Sequence, residues 1–146
     1  MPLQAFDQIC PDIARAEMRM CDVPVGLPGV PGGAYFLREY YCNELGCDCR
    51  RVLVQFLAAD GDGSVAASIN YGWEKAAYYR KWSSVPDLWR EMAGATLERF
   101  AEQGPHARKF LTVFNQIVRN PELVTAFRRH YRLTKEAIEP PPIPEL

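Results

Sequence analysis

Three of the chain's five cysteines stand within eight residues, Cys42-Asn43-Glu44-Leu45-Gly46-Cys47-Asp48-Cys49. No other feature constrains the fold as much. A C-x4-C-x-C spacing brings three sulfurs together only where the chain reverses, so the run predicts the connection of a hairpin. Gly46 supplies the backbone freedom to bend back. Thiolates are soft ligands that select zinc or iron–sulfur clusters, and zinc takes four ligands in a tetrahedron. Arg50 and Arg51 follow directly and offset the charge of three thiolates, while backbone N–H groups near Gly46 and Asp48 can hydrogen-bond the sulfurs. The plant-type iron–sulfur pattern needs two residues in its second gap, and here there is one. The cofactor expected is therefore zinc. Buried apolar cysteines or a reversible disulfide are the competing readings.

Three ligands leave one to be found. Cys21, in a segment able to fold back, is the first candidate for the fourth, and His106 at a predicted helix start is the alternative. Cys10 and His130 rank behind them.

Strands are expected on both sides of the cluster. Residues 34–41 roughly alternate; 51–58 place Val52, Val54, Phe56 and Ala58 on one face; 65–71 turn Val65, Ala67, Ile69 and Tyr71 inward and Ala66, Ser68 and Asn70 away. Asp60-Gly61-Asp62-Gly63 between the last two is a hairpin signal. Its likeness to a calcium loop fails, because the sixth and twelfth positions are Val65 and Tyr71. From Trp73 onward the period becomes helical. A short helix is expected over 74–82. Ser84-Val85-Pro86-Asp87 fits a capping box that opens a second, with Leu88, Met92, Thr96 and Phe100 in one stripe. A third follows Gly104-Pro105, with Phe110, Phe114, Ile117 and Val118 aligned. Asn120-Pro121 caps a fourth that aligns Leu123, Val124, Phe127 and Tyr131. The fold class expected is α+β: a three-stranded antiparallel sheet followed by three to four helices packed on one face, with the metal knuckle in the first hairpin.

One domain over residues 1–146 is the simplest organisation. Residues 1–33 would hold a short helix (11–20) and a Pro/Gly loop (22–33), 34–72 the meander with its knuckle, and 73–138 the helices. The Pro-rich tail, 139–146, would run extended in polyproline form.

The run Tyr41-Cys42 … Cys47-Asp48-Cys49-Arg50-Arg51-Val52, followed by Ser68-Ile69-Asn70-Tyr71-Gly72-Trp73, resembles a pattern in a bacterial protein family without an assigned activity. It spans about a fifth of the chain. The resemblance implies that the cysteine loop and the Tyr-Gly-Trp turn belong to one design, and it carries no catalytic residue.

Charge and composition narrow the partners. A net charge of -1 gives no global pull toward nucleic acid or anionic membrane. The basic run Arg128, Arg129, His130, Arg132 reads as a solvated helix face before it reads as a phosphate site. Tyr71, Trp73, Tyr78, Tyr79, Trp82 and Trp89 read as sheet-to-helix packing before they read as a groove for a peptide or base. The N-terminus has neither the basic start nor the apolar run of a signal peptide, so the expected compartment is the cytoplasm, where thiols stay reduced. The leading expectation is a zinc-binding protein whose metal is structural and whose partner is another protein. The alternative is a thiol- or zinc-dependent enzyme or redox sensor using Cys42, Cys47 and Cys49.

Overall fold

The computed structural model describes residues 2–26, 29–139 and 144, so the polyproline expectation for the tail lies outside the described residues. Along the chain come β1 (Leu3–Ala5), α1 (Phe6–Ile9), α2 (Pro11–Ala16), β2 (Arg19–Val23), β3 (Gly33–Cys42) and β4 (Arg51–Ala58). Then follow β5 (Val65–Gly72), α3 (Ala76–Trp82), α4 (Trp89–Met92), β6 (Gly94–Leu97), α5 (Ala107–Ile117) and α6 (Pro121–Ile138).

The chain is α+β, but the expected three-stranded sheet is corrected to six strands and the three to four helices to six, among the described residues. The strands make one antiparallel sheet in the order β1-β3-β4-β5-β6, with β2 also on β3. The meander β3-β4-β5 is its centre. Short strands that pattern alone does not reveal extend it on both sides. β1 and β2 share one edge of β3, opposite residues 40–42 and 33–37 respectively. The helix expected over 11–20 therefore stops at Ala16, because the chain from Arg19 pairs with β3 instead.

The largest departure concerns residues 84–100. Their helical stripe yields only the four-residue α4, and Gly94–Leu97 pairs with β5 as an edge strand. Asp87 takes a φ of 64°, which a helix interior does not admit, and the Val85 N–H is bonded by Ser83 Oγ at 3.1 Å rather than through the predicted box. What wins is the unpaired edge of β5, whose backbone N–H and C=O groups need partners. Beyond β6 the covering continues. Gln103 bonds both the N–H and the C=O of Ser68 through its side-chain amide, at 2.8 Å each, in place of a strand residue. Ser68 and Asn70, expected to face away, are thus buried, and Asn70 Nδ2 donates to the carbonyls of Glu91 and Met92 at 3.0 Å.

The other face carries the core. Tyr35, Leu37, Tyr41, Val52, Val54, Phe56, Ala67 and Ile69 are buried beneath Phe110 and Phe114 of α5, Leu123 and Phe127 of α6, and Phe6 of α1. The rings meet edge-on or tilted, with Tyr35–Phe110 centroids at 4.9 Å and Phe56–Phe110 at 5.2 Å, geometries that favour aromatic contact beyond simple burial. No helix among the described residues is long and apolar enough to cross a membrane.

Candidate metal centre

β3 ends at Cys42 and β4 begins at Arg51, so the cysteine cluster is the connection between the two central strands. Cys42 is the last residue of β3, paired with Leu3 and fully buried, which fixes one sulfur to the sheet. Gly46 (φ 75°) and Arg50 (φ 46°) both take the left-handed conformation. Glycine does so at no steric cost, whereas Arg50 must be held there. A turn closed by Cys47 N–H to the Glu44 carbonyl at 3.3 Å completes the reversal. The result is convergence: the ligand atoms of Cys42, Cys47 and Cys49 all lie within 4.8 Å of one another, and this group could hold a metal ion. All five cysteines are free thiols.

The loop is positioned by elements remote in sequence. Tyr78 of α3 donates its hydroxyl to the Asp48 carbonyl, and Tyr79 donates to the Arg50 carbonyl at 2.7 Å. From α6, Tyr131 donates to Asp48 Oδ1 at 3.0 Å and Lys135 Nζ donates to the Glu44 carbonyl at 3.2 Å. Just past α6, Glu139 Oε1 accepts the Gly46 N–H at 2.9 Å. On the N-terminal side Asn43 N–H donates to the Pro2 carbonyl at 3.1 Å. Arg50 forks onto Asp48 (2.8 Å at the shortest), lies over the Tyr78 ring at 4.5 Å, and reaches Glu74 at 3.5 Å. These contacts account for its left-handed backbone.

Electrostatics follow from this packing. Burial, then the neighbouring Cys49, pushes the Cys47 thiol up to about 12. Burial also raises the Cys49 thiol, against the opposing pull of Arg51. The Arg50 guanidinium, then the Tyr131 hydroxyl, hold the Asp48 carboxyl below its usual value despite partial burial. A backbone N–H already points at one sulfur, Glu44 N–H to Cys42 Sγ at 3.5 Å, the kind of support that tunes a metal–thiolate site.

The structure does not bring the expected fourth ligands to this point. Cys21 lies on β2 opposite Tyr35, seven residues from Cys42 along the same strand, a separation of roughly 23 Å at strand rise. It is buried and packs into the core instead. His106 is exposed, at the residue that precedes α5. Cys10 lies between α1 and α2. His130 is 1 % exposed and bonds Glu39 through Nδ1 at 2.7 Å, with Phe6 stacked on its ring at 4.2 Å. Its neighbours in the basic run also part ways: Arg129 pairs with Glu17 and Arg132 approaches Glu136 at 3.9 Å.

Sequence reasoning missed the tyrosine hydroxyls, Lys135 and Glu139. One signal for the tyrosines was available. A tyrosine in a buried stripe must place its hydroxyl on a partner, and the acceptors nearest the strand ends are loop carbonyls. Glu39, facing the core between Leu37 and Tyr41, is a second missed residue: it receives both His130 and the Tyr41 hydroxyl. No family model, no curated protein and no solved structure matches this chain.

Proposed function

We propose that the chain is a zinc-binding protein in which Cys42, Cys47 and Cys49 hold a structural metal, and that the unit so stabilised serves to bind another protein. The observation that carries this is the convergence of three sulfurs on a loop whose backbone is held by α3, α6 and the N-terminal segment. Thiolate donors in that number suit zinc, whose fourth position takes one further donor. A metal there ties the β3–β4 connection shut and adds its binding free energy to the folded state alone.

The redox or thiol-enzyme reading draws less from the site. Cys42 and Cys49 are buried, whereas a reactive cysteine needs access.

The test is metal content with one substitution. Cys47 is the least buried of the three, so Cys47→Ser disturbs packing least. Under this reading C47S loses its zinc and its added stability together. Zinc retained at full stoichiometry in C47S would remove the proposal.

A further inference from the structure

We propose that Glu139 is the fourth protein ligand of this metal, an inference that rests on the metal-binding reading above. Structural zinc takes four ligands, and carboxylate oxygen is one of its accepted donors. Cys42, Cys47 and Cys49 supply three, and among the described residues no other His, Cys, Asp or Glu, Glu139 included, stands within their group before a metal binds. Both histidines and the two remaining cysteines are placed elsewhere in the fold.

The acids near the loop can be compared directly. Asp48 is engaged by Arg50 and Tyr131, and Glu74 by Arg50. Glu44 lies inside the loop, where its N–H faces Cys42 Sγ and its carbonyl takes Lys135. Glu139 differs from all of these. Like Glu74 it comes from outside the loop, but its carboxylate rests on the loop backbone itself, on the N–H of the residue immediately before Cys47. Cys47 is the partly exposed cysteine of the three, and Glu139 is itself exposed, so both lie on the outer side of the centre.

Placement and charge support the same assignment. Glu139 is the C-terminal cap of α6, and the preceding turns are docked on the loop by Tyr131 and Lys135. In this account the Glu139 carboxylate leaves the Gly46 N–H, where it rests at 2.9 Å, and turns to the metal. Arg51, which acts on Cys49, and Lys135, on the Glu44 carbonyl, offset a fourth anionic donor. In this account metal binding also fastens the end of α6 to the central strands.

Cobalt(II) titration of the full chain tests the assignment, comparing wild type with Glu139→Gln and Glu44→Gln. Glutamine keeps an oxygen that can accept the Gly46 N–H but is a far weaker ligand. Glu44→Gln removes the same charge from the same loop. Wild type is expected to bind one cobalt with the intense visible bands of a tetrahedral site. E139Q should keep the sulfur-to-cobalt charge-transfer band, lose affinity by at least about tenfold, and show altered ligand-field bands, while E44Q follows wild type. Identical affinity and spectrum in E139Q would overturn the assignment, as would a loss found in E44Q instead. Failure of wild type to bind either cobalt or zinc would sink the metal reading itself, which separates the two claims.

Discussion

Gly72 shows how tightly single atoms are fitted where the sheet meets the knuckle. It pairs with Arg51 at the start of β4, and an added Cβ would stand 2.0 Å from the Met92 carbonyl and 2.6 Å from the Tyr79 hydroxyl. The first of those neighbours is backbone and cannot step aside. Gly72→Ala should therefore destabilise by about 3 kcal/mol or more, at the upper end of overpacking costs, as read from urea unfolding. The second partner makes the effect specific, since displacing Tyr79 withdraws its hydroxyl from the Arg50 carbonyl. Tyr131→Phe is a gentler probe of the same region. It removes one bond to an ionised carboxylate, with an expected loss of about 1.5–3 kcal/mol before any change in metal affinity. Asp48 sets the sign of the acid response. Its pKa is lowered in the folded chain, so its contribution is complete above the unfolded value and disappears as pH falls through the folded one. Stability should decline from roughly pH 5 downward, and by less in Y131F, when urea midpoints are compared across pH.

Among the elements, α6 joins the two halves of the account. Its N-terminus is capped by Asn120, whose Oδ1 accepts the Glu122 N–H at 3.0 Å, and Pro121 fills the first helical position. Asn120→Ala should cost about 1 kcal/mol without touching the metal centre. Its middle buries Phe127 against Phe114, at a centroid distance of 6.4 Å, and its end holds the cysteine loop. Phe114 also meets Phe56 and Tyr71 and is fully buried, so Phe114→Ala should cost about 3–5 kcal/mol in calorimetry or denaturant unfolding. Which elements could be read from sequence follows from range. β4, β5 and α6 announce themselves by alternation, by Asn-Pro capping and by a four-residue stripe, all local signals. β1, with three residues, and β6, with four, are too short to show a period, and they form because an edge of β3 or β5 lacks partners. The helical stripe at Leu88, Met92, Thr96 and Phe100 was overridden for that reason. Phe100 ends 90 % exposed, which no core stripe would leave.

For the molecule as a whole, the same division separates the cysteine loop from what surrounds it. Three sulfurs within eight residues are a local pattern, and the hairpin that brings them together was legible from the strands on either side. The groups that hold the loop were not: Tyr131 is 83 residues from Asp48, and Glu139 is 93 from Gly46. A fourth ligand sought by residue type alone led to Cys21, which β-pairing carries away along β3. The core beneath α5 and α6 is aromatic and continuous, so the chain is expected to stay folded without metal but at lower stability. Zinc held at 100 to 1,000 times its dissociation constant would add about 3–4 kcal/mol, or about 10 °C in Tm for a chain of this size. The most direct measurement is the zinc-to-chain ratio of protein purified under reducing, chelator-free conditions, with Tm taken before and after removal of metal by chelator. A ratio near one that falls with chelation, together with a drop of about 10 °C restored by adding zinc, is the predicted result. A ratio near zero, with a Tm that neither chelator nor added zinc shifts, would contradict it.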